Sequence, residues 1–352
     1  MVITARKHQI MDSNTAFILN EYRARQAEES KDYGSAIQYS LAAAAKAAEV
    51  DDSWGFCRMT INAAELQLAL GLMDDCIALC ANLFETEAIR KYPDYESRAK
   101  VLVTRAMHNR GQMGDALESA REVSRLPTQG LSSEGRLSVQ HVLVAALAEE
   151  GDTESAWAEA VRLAGMLDDE PQPRVAGMAY WAIGNAGFMS GRVDAGLNYH
   201  RLAAESLAMI DDVSLWGLFN KASAHMRLTA GLVTQETVEC IERAEVAYEV
   251  VRVTEIDGYE ITITRAWWEL ETGNPNKADE LLIPIEAKVA GPYPFLLGRT
   301  LQLRARCLDA LGQEAAAMEC AQKSERIFTE VGAEVLAADS RKIRDALGQS
   351  AR

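Results

Sequence analysis

The sequence predicts an all-α solenoid of about eight antiparallel helix pairs with a capping helix at its C-terminal end. Three observations predict it. Seven glycines, Gly71, Gly111, Gly151, Gly191, Gly231, Gly273 and Gly312, recur at intervals of 40, 40, 40, 40, 42 and 39 residues, the mark of one supersecondary unit copied in tandem. Seven residues before each glycine stand Ala64, Thr104, Val144, Gly184, Ala224, Ala266 and Ala305, almost all small. Five residues after it stand Cys76, Ala116, Ala156, Gly196, Ala278 and Ala317, with Glu236 the exception. Small side chains at both places let paired helices approach closely. Finally, apolar residues fall at helical spacing, and no stretch alternates with period two long enough for a strand.

The elements follow in chain order. Residues 1–13 are read as an extension before the first helix. Residues 14–332 form the array, each unit a helix A of about 14 residues, a glycine turn and a helix B of about 16 residues. The first unit has Ala24 and Ala36 at the small positions and a turn near Lys31 and Gly34. The second reads "AAELQLALGLMDDCIALCANLF", with Leu66 and Leu70 before the turn and Cys76, Leu79, Cys80 and Leu83 after it. Asp51 with Asp52, Asp168 with Asp169, and Asp211 with Asp212 fall between units, and Asp74 with Asp75 in a turn. Each pair precedes or opens a helix, where a carboxylate caps free N–H groups and favours the positive end of the dipole. Asp168 to Val175, with Pro171 and Pro173, and Gly291 to Pro294 are longer connectors and candidate hinges within one domain. Residues 333–352 hold a capping helix, Ala333 to Leu347, and a tail.

Composition narrows the function. Of 352 residues, 36 are Lys or Arg and 52 are Asp or Glu, a formal charge of -16 that repels phosphate backbones and anionic lipid. No direct nucleic-acid or membrane partner is expected. No secretory leader and no apolar run of about 20 residues is present, so a cytoplasmic location is expected. The six cysteines are expected to be reduced and buried. Cys76 and Cys80 share a helix face at i, i+4, but no further His or Cys completes a metal site. No metal or other cofactor is expected. No nucleophile elbow, phosphate-binding glycine loop or zinc-binding helix motif occurs, so an enzyme is not expected.

A small residue, a glycine seven later and a small residue five later, in paired helices, resembles the tetratricopeptide repeat (TPR). "KDYGSAIQYSLAAAAKAAEV", "RGQMGDALESAREV", "EGDTESAWAEAVRL" and "LGQEAAAMECAQKSERIF" are similar to the turn and helix B of such repeats. The period of 40 departs from the usual 34 and resembles the lengthened units of MalT-like and peptide-sensing bacterial regulators. The resemblance implies a right-handed superhelix that recognises a peptide or protein segment in its concave groove, in signalling or transcriptional regulation. Regulators of this type carry a DNA-binding domain ahead of the repeats, and about 13 residues are too few for one. The chain then acts through a separate protein or belongs to a longer one.

The resemblance also implies which face of helix A lines the groove: positions about 13, 10, 6 and 3 before the turn glycine, a spacing that holds one stripe. The 32 positions so counted carry seven Lys or Arg against five Asp or Glu, leaving -18 for the rest of the chain. The candidate ligand-binding residues on it are Arg58, Arg98, Arg105, His108, His141, Trp181, Asn185, Lys221, His225, Trp267, Arg299 and Arg306. Arginine forks onto carboxylates, asparagine holds a peptide backbone through donor and acceptor together, and tryptophan offers flat apolar area. The competing reading pairs these cations locally, for example Arg98 with Glu96 or Glu65, and places Met178, Phe188, Leu218 and Leu228 in the core. Two other functions stay open: a scaffold or homo-oligomer joined through its ends or convex face, and a peptide-regulated accessory that promotes dephosphorylation of a signalling partner.

Overall fold

The structure, a computed structural model, describes residues 2–167, 172–208, 210, 212–251 and 254–350, with side chains from residue 12 to residue 349. Among them every regular element is helical, in seventeen α-helices and one short 3₁₀ turn. The pairs are α1 (Val2–Glu29) with α2 (Tyr33–Glu49), α3 (Ser53–Ala69) with α4 (Met73–Phe84), α5 (Pro93–Asn109) with α6 (Met113–Ser124), and α7 (Ser133–Glu150) with α8 (Thr153–Gly165). They continue as α9 (Pro173–Met189) with α10 (Val193–Leu207), α11 (Val213–Thr229) with α12 (Gln235–Val250), α13 (Glu255–Glu271) with α14 (Pro275–Val289), and α15 (Pro294–Ala310) with α16 (Glu314–Glu330). The last helix, α17 (Glu334–Ser350), stands alone. The first helix begins well before residue 14, so most of the expected extension continues helix A of the first pair.

The glycine repeat is explained by the backbone. All seven turn glycines have positive φ, from 71° at Gly312 to 88° at Gly151, a region closed to most side chains. In the first unit Lys31, 40 residues before Gly71, takes the same conformation at φ 60° without being glycine, while Gly34 does not share it. The small positions are buried: Ala24, Ala64, Thr104, Val144, Ala224, Ala266 and Ala305 on the first helices, and Ala36, Cys76, Ala116, Ala156, Ala278 and Ala317 on the second. The exception is resolved by its interval of 42 residues. Glu236 is exposed, and the next residue, Thr237, is fully buried in its place, its hydroxyl donating to the Leu232 carbonyl at 2.7 Å.

Acidic capping is observed at several of the pairs. Asp52 accepts from Gly55 N at 2.9 Å and Asp212 from Leu215 N at 2.9 Å, each satisfying an amide that the helix start leaves open. Asp74 and Asp75 lie in the first turn of α4. Asp168, Asp169, Pro171 and Asp211 lie outside the described residues. All six cysteines are free and buried.

By packing, the chain divides into two compact units, Met1–Leu143 and Val144–Arg352, the boundary falling inside α7. In each, consecutive helices pack on one another, and first helices of successive pairs also touch: α3 on α5 in the first unit, and α9, α11, α13, α15 and α17 in series in the second. That second set of contacts gives each unit a wall of adjacent first helices. No helix among the described residues is long and apolar enough to cross a membrane.

Candidate functional site

In the first unit the inner faces of α1, α3 and α5 enclose a hollow of about 160 Å³, lined by Glu21, Ala24, Arg25, Glu28, Arg58, Met59, Asn62, Glu65 and Arg98. Two of the three cations here, Arg58 and Arg98, are met by carboxylates of the preceding pair. Arg58 Nη1 lies 2.9 Å from Glu21 Oε1, and Arg98 Nη2 lies 2.6 Å from Glu65 Oε1. Burial works against the charge of Arg98, but Glu65 outweighs it and the pKa is held above its ordinary value. Arg58 also lies over the Trp54 ring at 4.6 Å, and its Nε is sealed without an acceptor. Asn62 donates through Nδ2 to Glu28 Oε1 at 2.6 Å and to Ser40 Oγ at 3.1 Å. Its carbonyl oxygen accepts from no protein group among the described residues.

Asn62 is a lining residue that the stripe count passes over. The count selects its neighbour Ile61, which is 1% exposed and belongs to the core, as do Val101, Phe188, Leu228 and Ile263. The fixed 3, 4, 3 spacing reaches Arg58 and Glu65 but falls one residue early at Ile61, since 3.6 residues per turn lets either of two adjacent positions serve. A polar residue next to an apolar one at that step is the signal that locates the true face.

Still in the first unit, His141 is half-buried, and burial together with the nearby charge of Arg105 lowers its pKa to about 4, keeping it neutral. His108 Nδ1 lies 3.5 Å from Asn109 Oδ1. The neighbouring Cys76 thiol and burial push the Cys80 thiol up, so it stays protonated.

In the second unit the candidates divide between packing and charge. Trp181 stands edge-on to Phe219 at 5.8 Å, with its indole Nε1 sealed and without an acceptor. Asn185 Oδ1 accepts from His200 Nε2 at 3.0 Å, and Ser223 Oγ meets the other ring nitrogen at 3.0 Å. An amide oxygen only accepts, so Nε2 carries the proton. Burial, with a smaller contribution from Arg227, lowers the His200 pKa to about 3.

Lys221 donates to Asp257 Oδ1 at 2.7 Å and to Glu260 Oε2. Burial opposes its charge, and Glu260 and Asp257 together raise its pKa. Arg306 Nη2 and Trp267 Nε1 both reach Glu271 Oε1, at 2.6 and 2.8 Å. His225 packs against Trp267 at 5.4 Å and against Arg299, and burial first, then the charges of Arg299 and Lys221, hold it neutral.

The pattern is a ladder. Glu21 with Arg58, Glu65 with Arg98, Lys221 with Glu260, and Glu271 with Arg306 are separated by 37, 33, 39 and 35 residues, so each rung joins one first helix to the next. Local pairing of Arg98 is therefore what the structure has, with Glu65 rather than Glu96. Among the described residues no group of three or more His, Cys, Asp or Glu side chains is placed to hold a metal ion.

No family model and no curated protein matches this chain in sequence. Solved structures resemble it in fold. A Rap protein complexed with competence and sporulation factor is similar with a TM-score of 0.62 at 10% identity, over 95% of this chain and 98% of that one. The apo form of RapI is similar with a TM-score of 0.55 at 14% identity, over 78% of this chain and 98% of that one. At such identities the likeness is one of fold, and together with the glycine turns it makes this chain an all-α, TPR-like array of helix pairs.

Proposed function

We propose that this protein is a recognition module that holds a peptide or protein segment against the inner face of its first helices. The observation that carries the reading is the hollow of about 160 Å³ between α1, α3 and α5. It is walled by charged and amide groups, and its Asn62 carbonyl lacks a donor among the described residues. That oxygen is an acceptor for a peptide N–H. Its volume suits one side chain with its backbone. A fold relative solved with competence and sporulation factor supports a ligand-holding use of such an array, and a role in bacterial signalling or regulation in the cytoplasm is part of the same reading.

The test uses a random octapeptide pool passed over the immobilised full chain, with captured peptides sequenced and their affinities measured by calorimetry. Asn62→Ala should weaken the captured peptides about tenfold, as loss of a hydrogen bond to a desolvated group does. Capture that Asn62→Ala and Arg58→Met leave unchanged would remove the hollow from the site. Binding should also weaken with ionic strength, whereas association through apolar ends would persist or tighten in salt.

A further inference from the structure

Between successive first helices, Arg58 and Arg98 in the first unit and Lys221 and Arg306 in the second each touch a carboxylate. Arg299, on α15, does not. Among the described residues no carboxylate lies within the 4.0 Å of an ion pair from its guanidinium. Its one hydrogen-bonding contact among the described residues is the ring of His225 on α11, where Nη2 lies 2.8 Å from Nδ1 and 3.0 Å from Nε2. Such near-equal reach sets Nη2 against the ring face rather than on the in-plane lone pair of one nitrogen. The donors on Nε and Nη1 meet no protein group among the described residues, and neither atom is sealed from solvent.

The surroundings explain why this arginine is unusual. Glu260, the carboxylate that most favours its charge, is held by Lys221. Trp267 packs edge-on against His225 at 5.4 Å and spends its own N–H on Glu271. Partial burial of the guanidinium without a counter-ion is costly and pulls the Arg299 pKa below its ordinary value, against Glu260 and Glu149. Its planar fork matches a carboxylate in two parallel hydrogen bonds, which a neutral imidazole does not offer.

We propose that Arg299 is the carboxylate-recognising residue of the second unit, taking the α-carboxylate or an acidic side chain of a bound peptide on the donors that His225 leaves open. The inference rests on the reading of the protein as a peptide-binding module and adds the chemistry of what one of its sites selects.

The test passes three octapeptide pools over the full chain: free-acid peptides lacking Asp and Glu, C-terminal amides lacking both, and C-terminal amides containing Glu. Capture is quantified by mass spectrometry for the wild type, Arg299→Gln and Arg299→Lys. The wild type should enrich a carboxylate-bearing pool at least tenfold over the uncharged amides, the free acids if the α-carboxylate is read and the Glu amides if a side chain is. Arg299→Gln should abolish the enrichment and melt at or above the wild-type temperature because a charge without a carboxylate is removed, and Arg299→Lys, which keeps the charge, should restore part of the enrichment. Equal capture of all three pools, or enrichment that survives Arg299→Gln, would overturn the assignment while leaving peptide binding intact. A wild type that captures no pool would overturn both readings, and a marked fall in melting temperature in both variants would make Arg299 a packing residue instead.

Discussion

His200 is 1% exposed, and its ring fits where the opposite helix has no side chain. A Cβ built on Gly184 would lie 2.2 Å from His200 Cδ2, so the small position of this unit is glycine because its partner is a ring. Gly184→Ala should therefore destabilise the protein by about 1–3 kcal/mol through overpacking, measured by urea unfolding. His200→Ala in the same chain should recover part of that loss, and a Gly184→Ala protein as stable as the wild type would show that the ring has room to move. The sequence makes Gly184 legible as a small position but not its reason, which needs the partner across the pair. Asn185 shows the same limit. Its stripe position and amide suit a ligand, yet its oxygen is engaged by His200, a residue on the other helix that one-helix spacing does not reveal.

At the scale of the element, helix boundaries were the most legible feature, because turn glycines and capping acids are fixed by local backbone geometry. Asp52 is an example: its side chain caps α3 through Gly55 N at 2.9 Å. Asp52→Ala should cost about 1 kcal/mol, the usual worth of an N-cap, read as a shift of the urea midpoint at constant slope. No shift would mean that water or Ser53 serves the amide equally well. The inner stripe was less legible. Its composition can be counted from one helix at a time, but whether Arg58 or Arg98 is paired depends on the register of the next first helix, which side-chain reach decides. The positions that failed, Ile61 and Val101 among them, did so because a stripe at 3.6 residues per turn drifts against a fixed count.

For the whole molecule, acid is the informative variable. His141 and His200 have folded pKa values near 4 and 3, and His225 also lies well below its ordinary value. Each therefore binds a proton more readily in the unfolded chain, where the pKa is about 6.5. Below that value the unfolded state gains protons that the folded state does not, so stability falls as pH drops from about 6.5 toward 4 and 3. Each histidine contributes a slope of about 1.4 kcal/mol per pH unit while it remains neutral in the fold. Paired carboxylates such as Glu271, whose pKa Arg306 and Trp267 lower against the effect of burial, begin to matter only at lower pH. Urea midpoints should thus fall clearly between pH 7 and pH 5, and a flat profile over that window would place protons on these rings in the folded protein.

The ladder of rungs between successive first helices has a consequence for selectivity. An incoming group that binds Arg98 or Arg58 meets a cation already satisfied, so its gain is only the difference between two pairings. It must also leave Glu65 or Glu21 with a substitute donor. Exchange of this kind disfavours a ligand of one sign and rewards one that brings opposite charges spaced to match neighbouring helices, so that both halves of a broken rung find new mates at once.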